Sequence, residues 1–178
     1  MAEDVPGLEM GKYQIMTSPF TDKEIEYLRS QLLGRMATTS GNGAPHIVPV
    51  GFRLDSTAQT VQIGGHGLSK SKKWRDLQAN PRIAFSVDDL ASVDPWTPRG
   101  IEIRGIAELH HDGGEQVFGD GWDSVWFAVV PRRIISWGIE GPAFSETGRS
   151  PGSYVVEAST GVHSLASASS ARSAGTAA

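Results

Sequence analysis

The sequence predicts a mainly β protein: a closed or nearly closed antiparallel barrel of six to seven strands carrying two or more short helices. Short strand-like segments with period-two alternation or dense β-formers recur between residues 21 and 157. The links between them are too short to place a helix after each strand, as a doubly wound parallel sheet requires. Helical spacing is confined to two short stretches.

The first helix is predicted over Thr21–Leu33. Thr21 and Glu24 form a capping-box pair, in which each side chain satisfies a free amide at the helix start. Ile25, Leu28 and Leu32 share one face, and Gly34 follows where a left-handed helix cap is expected. The period then changes. Arg35–Thr39 reads as a strand, Ser40-Gly41-Asn42-Gly43 as a turn, and Pro45–Leu54 as a long extended segment. Pro45 and Pro49 each lack an N–H, which assigns that segment to a bulge or a sheet edge. Thr60–Gly64 is the next strand. Ser71–Ala79 is a short helix capped by Ser69 or Ser71, with Pro81 just beyond its end. Strands are predicted at Arg82–Val87, Gly100–Leu109, Val125–Val130 and Arg133–Ile139. In the second of these, Ile101, Ile103, Gly105, Ala107 and Leu109 lie on one face and Glu102, Arg104 and Glu108 on the other.

These elements define one domain over residues 21–157, preceded by an N-terminal arm at 1–20. Residues 158–178 are mostly Ala, Ser, Gly and Thr, too poor in apolar surface to offset the entropy of ordering, and are expected to be a disordered tail. Hydrophobic residues make up 39% of the 178, and the net charge is −4. That balance suits a single globular core and argues against a nucleic-acid partner, which selects a basic face. With no cysteine, disulfides and thiolate chemistry are excluded. The histidines show no zinc spacing, so no metal is expected, and adjacent His110 and His111 read as solvated loop residues. The acidic Met1-Ala2-Glu3-Asp4 start is not a secretory signal, and the longest apolar run, Val125–Val130, is too short to span a bilayer. The expectation is a cytoplasmic protein with no membrane partner.

Three clusters carry chemical potential. Ser69-Lys70-Ser71-Lys72-Lys73-Trp74-Arg75 places four cations within six residues at a helix start. Helix-start amides point at anions, and hydroxyls and ammonium groups add to them, so this is either a phosphate cradle or a solvated helix face. In Asp94-Pro95-Trp96-Thr97-Pro98-Arg99-Gly100, two prolines stiffen a segment that presents Trp96 and Arg99. It reads as a substrate cover or as a tight connection with Trp96 packed on the barrel. Trp137, in Ile135-Ser136-Trp137-Gly138, either caps the barrel or reaches a neighbouring subunit. The Ser69-x-x-Lys72 spacing lacks the companion motifs of penicillin-binding enzymes, and Gly64-Gly65-His66-Gly67 lacks dinucleotide-fingerprint spacing.

The ordered set of segments resembles a known family. It runs through Gly34-Arg35-Met36-Ala37-Thr38-Thr39, Gly43–Phe52, Ile63-Gly64-Gly65, Ser71–Leu77 and Asn80–Phe85 to Pro95–Gly105 and Ser136-Trp137-Gly138. Over roughly Thr21–Ile139, it is similar to the pyridoxamine 5'-phosphate oxidase-like split β-barrel, the FMN-binding-like fold. More narrowly, it resembles the actinobacterial branch that uses the deazaflavin coenzyme F-420.

That resemblance implies an oxidoreductase and a homodimer with its cofactors at the subunit interface. It implies hydride transfer between F-420 and a small unsaturated substrate, with FMN the alternative cofactor. A non-catalytic cofactor or tetrapyrrole binder is the alternative of another class. Cofactor contacts fall on Val48, Pro49 and Val50, whose backbone would face the ring edge, and on Gly64, Ser71, Lys72, Lys73 and Trp137. Trp96 and Arg99 are assigned to the substrate pocket, and no catalytic residue is singled out. Flavin-using oxidases carry an arginine in the second strand, where this chain reads His46-Ile47-Val48-Pro49, and an arginine-rich C-terminal segment, where it reads Gly138-Ile139-Glu140-Gly141. Vitamin B6 oxidation is therefore not implied. Lys70, Arg75, Arg53 and Arg99 are the cations available for the acidic tail of F-420.

Overall fold

The computed structural model describes residues 18–145, 148–149 and 152–156. The expected tail, and the arm up to residue 17, lie outside these residues. In chain order the elements are α1 (Asp22–Ser30), β1 (Leu33–Thr39), β2 (Pro45–Gly51), β3 (Arg53–Asp55) and β4 (Thr60–Ile63). A single 3-10 turn (Leu68–Lys70) leads to α2 (Lys72–Ala79), followed by β5 (Arg82–Ser92), β6 (Thr97–His110) and α3 (Gly114–Phe118). Then come β7 (Trp126–Trp137), β8 (Phe144–Ser145), β9 (Gly148–Arg149) and β10 (Gly152–Val155).

The main sheet runs β2-β1-β5-β6-β7-β4-β3, with antiparallel pairing throughout. Its two edge strands, β2 and β3, are consecutive in sequence and separated only by Phe52. The sheet must therefore curl until its edges meet, and it stops short of pairing them. Strand β7 divides its second edge: Phe127–Val129 pair with β4, while Arg133–Ser136 pair with β10. The result is a split antiparallel barrel, as the sequence predicts. Phe85, Phe127, Met36, Ile103 and Ile134 fill it, and Leu28 of α1 closes one side.

The capping box forms as expected, with the Glu24 N–H donating to the Thr21 hydroxyl and Thr21 N–H to Glu24 Oε2. The helix ends earlier than predicted. Gln31 is extended and Leu33 already pairs with Gly51, so strand pairing overrides the helical period. Leu32 consequently points outward at 83% exposure. Gly34 is not a helix cap but a strand residue pressed against the Phe85 ring, where no Cβ fits.

The segment expected as one strand over Pro45–Leu54 breaks at Phe52 into β2 and β3. Conversely, the strands expected at Val125–Val130 and Arg133–Ile139 are one strand, β7. Pro131 falls at a register shift opposite Gly105, whose missing Cβ admits the Val130 carbonyl. A bulge thus lets the strand continue through a proline. Strands β5 and β6 extend beyond prediction into a long hairpin, so Thr97–Arg99, ahead of the expected strand start at Gly100, already belong to β6. His110 is likewise in β6, its ring stacked 3.8 Å from Trp126.

Candidate anion-binding and cofactor site

Helix α2 is held against the barrel by Trp74 and Leu77, buried three residues apart on one face. Ser71 is its N-cap, its hydroxyl accepting the Trp74 N–H at 3.2 Å, which leaves the hydroxyl proton available to an acceptor. Lys72 reaches forward one turn. Its Nζ lies 2.8 Å from both carboxylate oxygens of Asp76, which also accepts the Thr38 hydroxyl at 3.0 Å. His46 Nδ1 stands 3.7 Å from the same carboxylate. The Lys72 hydrogen bonds, followed by that of Thr38, hold the Asp76 carboxyl below the usual carboxylate range.

Lys73 differs. It is half-buried, and among the described residues no carboxylate lies within ion-pair distance. Burial pulls its ammonium below the ordinary lysine value. An uncompensated cation beside the free amides of a helix start suits an anionic group, so these residues fit a cofactor phosphate.

The other predicted residues are distributed over the barrel. Val48, Pro49 and Val50 lie in edge strand β2, with Val50 turned into the core and Pro49 exposed. Gly64 follows β4 at a close approach, since a Cβ there would come within 2.7 Å of the Phe118 ring. Trp137 ends β7 opposite Gly100, its ring occupying the space a Gly100 Cβ would need. It is remote from α2 within one chain. Asp76 anchors α2 at Thr38, next to the Ala37↔Ala84 pair, whereas the Gly100↔Trp137 pair lies beside Asp88. That is four residues further along β5, about 13 Å.

Trp96 sits at the β5–β6 hairpin tip at 62% exposure, rather than packed on the barrel. Arg99 is engaged by Asp89 through two hydrogen bonds at 2.7 and 2.9 Å, and its guanidinium lies 5.1 Å from the Tyr27 ring. Arg99 lines a cavity of about 360 Å³ with Lys23, Tyr27 and Gly138. Burial, reinforced by Asp89, pushes the Tyr27 phenol up. Of the cations considered for an acidic tail, Arg75 donates to the Lys70 carbonyl and Arg53 to the Val117 carbonyl. With Arg99 held by Asp89, three of the four are bound within the chain.

Sequence reasoning missed Asp76, although its i,i+4 spacing from Lys72 is a readable signal. It also missed Asp123, whose hydrogen bonds to Ser69 span 54 residues and leave no local trace.

The fold is thus a split antiparallel barrel with a cationic helix start beside its edge strand β2. Residues 20–133 match the pyridoxamine 5'-phosphate oxidase family, and the chain belongs to that family. It is 43% identical over 123 residues to a 5a,11a-dehydrotetracycline/5a,11a-dehydrooxytetracycline reductase of Streptomyces rimosus, covering 69% of this chain and 86% of that enzyme. A conserved hypothetical protein of Mycobacterium tuberculosis shares the fold at 21% identity and a TM-score of 0.53, covering 71% of this chain and 91% of that one. A heme-binding protein of Mycobacterium smegmatis shares it at 18% identity and a TM-score of 0.53, covering 75% of this chain and 57% of that one. Among the described residues, no helix is long and apolar enough to cross a membrane.

Proposed function

We propose that this chain is an F-420-dependent reductase that saturates a carbon–carbon double bond in a small conjugated substrate of the dehydrotetracycline kind. The observation that carries this reading is the 43% identity to a reductase named for 5a,11a-dehydro substrates, over most of that enzyme's length. The half-buried, unpaired Lys73 supports a phosphate-bearing cofactor at α2. His46 stands in the second strand, where the flavin oxidases that the sequence resembles carry an arginine, and this favours the deazaflavin over FMN.

When bound, the reduced deazaflavin supplies a hydride, which with a proton from solvent saturates the double bond. Lys73 and the α2 amides hold the phosphate. Ser71 donates its hydroxyl proton to it, and Lys72, tied to Asp76, adds a fixed positive charge. The backbone of Val48, Pro49 and Val50 in β2 would face the ring edge. The Gly100–Trp137 pair lies about 13 Å along β5 from where α2 is anchored, so in a homodimer the Trp137 wall would be supplied by the second copy. Trp96 and Arg99 border the substrate.

The test mixes the protein with reduced F-420 and 5a,11a-dehydrooxytetracycline and follows the return of the oxidised deazaflavin's absorbance. Protein-dependent turnover is expected. Turnover with reduced FMN and none with F-420 would transfer the protein to the flavin-using readings of the family, and turnover with neither would overturn the reductase assignment.

A further inference from the structure

The long link between β6 and β7 folds back onto the loop that enters α2, and several contacts join the two. Asp123 Oδ2 accepts both the backbone N–H of Ser69 at 2.8 Å and its hydroxyl at 2.6 Å. The Asp123 N–H donates to the Gly65 carbonyl at 3.1 Å. His66 Nδ1 lies 2.8 Å from the Gly121 carbonyl, which only accepts, so that nitrogen carries the proton. The Phe118 ring covers Gly64 closely enough to exclude a Cβ. The Ser69 donors foremost, with the neighbouring Val125 and Ser124 amides, hold the Asp123 carboxyl below the usual carboxylate range.

Beyond Ser69 the loop has little freedom. The Ser71 N–H donates to the Leu68 carbonyl at 2.9 Å, and the Arg75 guanidinium to the Lys70 carbonyl at 2.8 Å. Wherever Ser69 is fixed, the donors of Ser71, Lys72 and Lys73 follow. Leu68 seats the start of this turn in the core, whereas Ser69 and Lys70 are exposed and packing does not fix them. The Asp123 carboxylate adds to the Leu68 anchor by fixing the exposed Ser69, which lowers the entropy of ordering these donors when an anion binds.

We propose that Asp123 is a positioning residue for the cofactor phosphate, acting through Ser69 to set the donors at the start of α2. This rests on the reading of α2 as the phosphate grip. The test titrates two pairs of probes by tryptophan fluorescence: FMN and riboflavin, which differ by the phosphate alone, and F-420 and its riboflavin-level deazaflavin, which lacks the phosphate and the acidic tail. In Asp123→Ala the Kd for the phosphate-bearing probe is expected to rise about tenfold, as for a lost charged hydrogen bond, and that for the phosphate-free probe less than about twofold. A merely structural role would weaken both probes alike, and that result, or no change in either, overturns the proposal.

Lys73→Ala separates the two levels. If it weakens the phosphate-bearing probe while Asp123→Ala does not, the positioning role falls and the grip stands. If neither variant has an effect, both fall. Should Asp123→Ala fail to fold, Ser69→Ala keeps the backbone bond and removes only the hydroxyl. About threefold weaker binding of the phosphate-bearing probe alone is then expected, and unchanged binding overturns the proposal.

Discussion

Lys73→Met is the most informative single change, because binding and stability should move in opposite directions. The substitution keeps an apolar stem in the half-buried site and removes the ammonium. A charged hydrogen bond to phosphate contributes about 1.5–3 kcal/mol, so the Kd for F-420 should rise about 10- to 150-fold. Stability should not fall. In the folded chain the Lys73 ammonium is desolvated, without an ion-pair partner among the described residues, and its pKa is lowered. A lowered lysine pKa means that the charged form opposes folding at neutral pH, and the penalty is relieved only as pH rises through the folded value. Removing the charge should leave the melting temperature unchanged or raise it, and flatten stability against pH on the alkaline side. Fluorescence titration and thermal melts over neutral and alkaline pH read both effects. Unchanged affinity with a melting temperature lowered by several degrees would refute the reasoning and make Lys73 a structural residue.

Lys72→Met should do the reverse, lowering stability more than affinity, because it strips the buried Asp76 of two hydrogen bonds at 2.8 Å. The depressed Asp76 pKa contributes stability above the usual carboxylate range that is lost as pH falls through the folded value. Acid-unfolding curves of Lys72→Met should therefore shift to higher pH. Glu24→Ala removes the α1 capping box and the partner of the Tyr154 hydroxyl, which donates to Glu24 Oε2 at 2.5 Å. It should cost about 1–3 kcal/mol by chemical denaturation. Gly105→Ala would drive a Cβ into the Val130 carbonyl at the bulge and should cost about 1–3 kcal/mol, also read from the denaturation midpoint.

Much of this architecture was legible from local patterns. The Thr21/Glu24 capping box, the Ser71 cap and the edge assignment of Pro45 and Pro49 all depend on groups a few residues apart, and all form. The errors fall where distant chain segments decide. Leu32 and Gly34 left the expected helix end because β1 pairs with β2, and β7 runs through Pro131 because Gly105 makes room opposite. In the candidate site, charge density and helix position marked the Ser69–Arg75 cluster, and the family resemblance singled out Lys72 and Lys73 within it. Their inequivalence was not legible, since it depends on Asp76 being buried beside Thr38 and His46. The Asp123–Ser69 link had no signal in spacing at all.

Titration of the purified protein with F-420 and with FMN, followed by tryptophan fluorescence and repeated on Lys73→Met, tests the central claim most directly. Tighter binding of F-420 than of FMN, weakened about 10- to 150-fold in the variant, is the predicted result. Tighter binding of FMN, binding of neither, or an F-420 affinity indifferent to Lys73 would contradict it.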